Sequence, residues 1–187
     1  MNKTINDTIA RYFLNDSREF LKRYEFLRER QTDISNRSKL LIDLVFSLEC
    51  SLKALIFIES DQNEKQTYKK IKSCSHNLKK LLENVNTETF SEIVSKIDSN
   101  IEHFSISSRY SLEANIYFRD SMGALNDLYY NTIANFLWLD DLHKQATELY
   151  KYVISKIDNS LKTTNFDEIN AETEMEIAKR LKEISYK

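Results

Sequence analysis

Three short stretches hold the side chains best suited to chemistry. Glu49 and Lys53 stand one helical turn apart in ECSLK, His76 follows Ser75 in SHNLKKLL, and Arg109 and Tyr110 adjoin in SRYSL. A histidine titrates near neutrality and can take or give a proton. An arginine next to an aromatic suits phosphate contact and base stacking. Between Asn63 and Leu82 lie Lys65, Lys69, Lys70, Lys72, Lys79 and Lys80 against one acid, Glu64, with Tyr68 and His76 interleaved. Such a cluster beside a helix N-terminus would dock the phosphate of a nucleotide or an RNA. Each feature also has a plainer reading. Glu49 and Lys53 are an i,i+4 pair in the favourable order, worth about 0.2–0.5 kcal/mol to a helix. His76 can be a first-turn residue, Arg109-Tyr110 a surface turn, and the lysines a solvated face.

Helices must position these groups. The chain of 187 residues has no proline and one glycine, Gly123, where average usage would give about nine and about thirteen. Sheets need tight turns rich in glycine, so the composition predicts an all-α protein: an antiparallel up-and-down bundle of four to five core helices with a C-terminal helical extension, divided as residues 1–162 and 163–187. A first stripe runs through Ile5, Ile9, Phe13, Phe20, Tyr24 and Leu27, weakened at Asp16-Ser17. The second helix carries Leu41, Leu44, Val45, Leu48, Leu52, Leu55 and Ile56, an apolar face wide enough for the centre of a bundle. The lysine-rich KQTYKKIKS is either a short helix or a mobile loop. Ser75 reads as the cap of the helix that follows it and Asn84 as its stop; another helix starts at Thr87-Glu88 with Phe90, Ile93, Val94 and Ile97 on one face, and Asp98 to Ser108 is interrupted. From Tyr117 helical periodicity continues almost to Leu161, which predicts a kink near Leu139-Asp140-Asp141 or a projecting tail. Thr163-Thr164-Asn165 precedes a last amphipathic piece.

Charge and cysteine usage exclude several classes. Twenty-seven basic and 29 acidic residues leave a net −2, so no global cationic field exists for strong non-specific duplex binding. Cys50 and Cys74 have neither CxxC nor zinc spacing and fit a reduced cytoplasmic setting. No window approaches a membrane span, and no apolar signal core opens the chain. One glycine cannot build a phosphate-cradling loop. Asp140-x-x-His143 has no second copy of the kind a di-iron bundle needs. No metal and no cofactor are expected.

The three stretches, in order, resemble the HEPN superfamily of small helical bundles over roughly residues 35 to 155. The corresponding residues are Glu49, Lys53, Ala54 and Leu55, then Ser75, His76, Leu78 and Leu81, then Arg109 and Tyr110. The resemblance implies a homodimer, to which aromatic Tyr129, Tyr130, Phe136 and Trp138 would contribute, and a place in a prokaryotic defence or toxin–antitoxin type system, with a partner protein from a neighbouring gene. Ribonucleases of that family resemble one another in an Arg-x(4–6)-His motif on a late helix. Here the histidines are His76, His103 and His143, and no arginine stands five to seven residues before any of them. The expectation is therefore a nucleotide- or RNA-binding or protein-interaction module using Glu49, Lys53, Lys69, Lys70, Lys72, His76, Arg109 and Tyr110. The alternative is a toxin-type, metal-independent ribonuclease with a divergent site of His76, His103 and Arg109.

Overall fold

The computed structural model describes residues 2–30, 37–85, 97, 130–157 and 171–185. Among these residues are six helices and no strand: α1 (Asn2–Arg28), α2 (Arg37–Glu59), α3 (Glu64–Cys74), α4 (Leu78–Leu82), α5 (Phe136–Lys156) and α6 (Ala171–Ser185). The all-α bundle expected from the missing turn residues is the architecture found.

Helices α1 and α2 form the spine. Asn6 Nδ2 donates to the Gln62 carbonyl, Phe13 faces Phe57, Ser17 meets Ser47 and Ser51, Phe20 meets Phe46 and Arg23 pairs with Asp43. Positions rise along one helix as they fall along the other, so the pair is antiparallel. The polar step at Asp16-Ser17 does not weaken α1. Ser17 is fully buried, its Oγ lying 2.9 Å from Ser47 Oγ, 2.8 Å from Ser51 Oγ and 3.1 Å from the Ser47 carbonyl. Small hydroxyls at the crossing let the two backbones approach while satisfying each other. Arg30 folds back to donate to the Phe26 carbonyl, covering one open acceptor at the end of α1.

Helix α2 is buried on nearly every side: Leu40, Leu44, Leu48, Leu52, Leu55 and Phe57 have no exposed surface. Burying each such side chain contributes roughly 1.5–3 kcal/mol, so the central placement predicted from its broad apolar face holds. Helix α5 packs on α2 and α1 through Leu139, Leu142, Ala146, Leu149 and Val153. It starts beside the end of α1 and the start of α2, where the Arg37 guanidinium donates to the Ala134 carbonyl.

The kink expected near Leu139-Asp140-Asp141 is absent, since α5 runs unbroken through those residues. Its boundary falls earlier, at Asn135, whose side chain accepts from the amides of Leu137 and Trp138. A capping amide there starts a new helix more cheaply than a bend within one. Residues 98–129, including the interrupted stretch and the start of the late periodicity, lie outside the described residues, as do 86–96 and the 163–165 break; Ile97 is fully buried. Helices α3 and α4 pack on α2, and α6 packs on α3. Among the described residues no helix is long and apolar enough to cross a membrane.

Candidate functional site

The lysine-rich stretch is a helix rather than a loop. Asn63 caps α3 by accepting from the Gln66 amide, and Thr67, Ile71 and Cys74 turn inward against the core. That spacing leaves Lys65, Lys69 and Lys72 on one exposed stripe with Lys70 beside it. Lys65 pairs with Glu183 of α6. Lys69, Lys70, Lys72, Lys79 and Lys80 are exposed.

The turn between α3 and α4 departs from expectation. Ser75 does not cap α4. Its amide closes the end of α3 on the Lys72 carbonyl, and its backbone takes φ 53° and ψ −130°. A residue bearing Cβ pays about 1–3 kcal/mol in such a region. The cap of α4 is Asn77, whose Oδ1 accepts from the Lys80 amide. Since α4 has five residues, its aligned dipole is small, so the anion-attracting helix start expected there is not built.

That strained turn sets His76 over α2. His76 Nδ1 donates to Glu49, 2.9 Å from Oε1 and 3.0 Å from Oε2. Lys53 Nζ donates to Glu49 Oε1 at 2.5 Å and lies 5.8 Å from the centre of the Phe13 ring. The Glu49 side chain is 5% exposed, that of Lys53 15% and that of His76 44%. A carboxylate shielded from water gains from each charge-assisted donor, and here it has two from different elements. Glu49–Lys53 is thus both the simple i,i+4 pair and half of a tertiary site. With Nδ1 turned onto the buried acid, Nε2 lies on the opposite edge of the ring.

Of the sequence-predicted residues, Glu49, Lys53 and His76 come together and Lys69, Lys70 and Lys72 line the adjoining helix. Arg109, Tyr110 and His103 lie outside the described residues. Of the two cysteines next to the site, Cys50 is unreactive by environment. Both are free. Burial, with Glu49 and Asp16 adding repulsion, pushes the Cys50 thiol up to about 12, leaving almost no nucleophilic thiolate at neutral pH. Cys74 is buried and donates to the Lys70 carbonyl.

A second polar cluster escaped the reading of the sequence. Asp140 accepts from Tyr24 Oη at 2.8 Å and from Arg28 Nε and Nη2, both at 2.9 Å. The Arg28 bonds hold its carboxyl below the usual range, with Tyr24 assisting. Burial, then the Asp140 bond, raises the Tyr24 phenol. His143 stacks on Tyr24 with ring centres 4.6 Å apart and planes 16° apart. Arg28 and Arg37 each lie 3.8 Å from the centre of the Phe136 ring, so this aromatic has cation–π partners within its own chain. The available signal was a polar pair at each of two helix faces, Tyr24/Arg28 and Asp140/His143. More than a hundred residues separate them, and nothing local matches one pair to the other. Against known proteins, no family model, no curated protein and no solved structure matches this chain.

Proposed function

We infer that the chain is a HEPN-like module, acting as a homodimer in a prokaryotic defence or toxin–antitoxin type system, that binds nucleotide or RNA phosphate on the α3–α4 face. The observation that carries this reading is the meeting of Glu49, Lys53 and His76 beside five exposed lysines. Glu49 neutralises Lys53 inside the protein, so the outward charge of the face comes from Lys69, Lys70, Lys72, Lys79 and Lys80. Such a face holds phosphates as point charges without reading sequence, which suits a sensor of RNA or nucleotide better than a duplex reader.

The test is titration of a labelled single-stranded RNA and of a nucleotide into the protein at low and high salt. Replacing Lys69, Lys70 and Lys72 by Glu is expected to abolish most of the affinity. Removing three phosphate contacts should also flatten the dependence of log K on log salt by about 2 for single-stranded RNA. Unchanged binding and slope overturn the reading. Light scattering at micromolar concentration is expected to return twice the chain mass, and a monomer removes the dimer from it. The buried carboxylate behind His76 also favours the second reading, metal-independent RNA cleavage, because it leaves Nε2 as a base. Growth arrest on induction, lost in His76→Ala, would select that reading.

A further inference from the structure

We propose that His76 is a phosphoryl-acceptor residue, taking a phosphoryl group on Nε2 from a small phosphoramidate-class donor. One feature fixes that atom's state, and two describe its surroundings. The Glu49 carboxylate, almost fully buried, receives the Nδ1 proton through both oxygens, which fixes the tautomer that leaves the Nε2 lone pair free. The preceding residue, Ser75, holds its backbone at φ 53°. Strain of that kind persists only where surrounding structure enforces it, and here it seats the imidazole at the rim of α2. Lys72, Lys79 and Lys80, all exposed, lie on the two helices that flank the turn and give the surroundings a cationic character that suits a dianionic phosphoryl group.

The step balances without a metal or an oxidant. The Nε2 lone pair forms a bond to phosphorus, and the P–N bond of zwitterionic phosphoramidate breaks. Its electron pair leaves on nitrogen as neutral ammonia, with no further proton required. Positive charge developing on the ring is partly offset by Glu49, whose Oε1 also accepts from Lys53, as the Nδ1 proton moves toward the carboxylate. Glu49 therefore serves as a positioning residue, while His76 is the nucleophile.

The other two histidines act as internal controls. The full chain is incubated with potassium phosphoramidate at neutral pH. Labelled sites are then mapped under alkaline conditions by mass spectrometry, and the substituted nitrogen is identified by phosphorus NMR. The expected result is phosphorylation concentrated at His76 on Nε2, ahead of His103 and His143. Glu49→Gln is expected to slow labelling by roughly ten- to a hundredfold and to alter its pH profile, since the amide oxygen still accepts the Nδ1–H bond but carries no charge to offset the imidazolium. Equal labelling of all three histidines, substitution at Nδ1, or an unchanged rate in Glu49→Gln would overturn the proposal. Should that variant lose its thermal transition, the distribution of label in the unaltered protein decides alone. The inference uses the lysine rim of the functional reading but needs no RNA. Selective labelling without RNA binding sinks that reading and spares this one, and the opposite pattern does the reverse.

Discussion

His76 and His143 each stand beside a glutamate, and the two sites come out differently. At His76 the acceptor is buried and the imidazole is open: Nδ1 lies 2.9 Å from Glu49 Oε1, and the ring keeps 44% of its side-chain surface in water. At His143 the order is inverted. The ring is 22% exposed and stacked on Tyr24, while Glu25, 3.4 Å from Nε2, is 61% exposed. Burial lowers the affinity of His143 for a proton more than Glu25 and Asp140 restore it. A solvated carboxylate at that distance gives little orientation, so His143 is held by packing, whereas His76 is held by hydrogen bonds to a carboxylate that is almost fully buried. Burial of the acceptor, rather than its mere presence, separates an oriented imidazole from a packed one.

That contrast can be broken most directly at the two carboxylates. Glu49→Ala leaves Lys53 beside the core without its partner and is expected to cost about 2–3 kcal/mol in chemical denaturation, at or below the low end for a disrupted buried pair because Lys53 and His76 are not fully enclosed. Asp140→Ala removes a pair whose members are 32% and 43% exposed together with the acceptor of the buried Tyr24 hydroxyl, and should cost about 1–2 kcal/mol. A larger loss at Asp140 than at Glu49 would invert the comparison.

A second test is pH. His143 binds its proton more weakly folded than unfolded, so its contribution to stability is complete above the ordinary value of 6.5 and is lost as pH falls through its lower folded value. Melting curves from neutral to mildly acidic pH should therefore decline, and His143→Gln should flatten the decline. Asp140, also depressed, adds a separate loss beginning only near and below 3.8. No change of slope in His143→Gln would show that burial does not depress its titration. The smallest effect is expected at Lys65, whose bond to Glu183 lies in water at both ends. Lys65→Ala should leave the melting temperature unmoved while lowering RNA affinity slightly.

Local chemistry carried much of this fold into view. The absent prolines and the single glycine exclude a turn-rich sheet, and the apolar positions of α2 require burial all round, because a helix hydrophobic on most sides is stable only at the centre of a bundle. Helix ends were less legible. Ser75 and Asn77 are both good caps; Asn77, between the buried Cys74 and Leu78, takes the role, and Ser75 holds the unusual backbone angle. The start of α5 depended in the same way on Asn135, a residue that periodicity alone treats as just another polar position.

What the chain order determined by itself was the inventory: a helix with an acid and a base one turn apart, a histidine after a lysine-rich helix, and a composition that only helices can satisfy. What tertiary structure alone decided was pairing across distance. Glu49 and His76 are 27 residues apart, and Tyr24 and Asp140 are 116 apart; periodicity describes the face a side chain occupies, never the face it meets. Docking of helices settles that meeting, and with it the exclusion of water that turns an ordinary glutamate into a fixed acceptor.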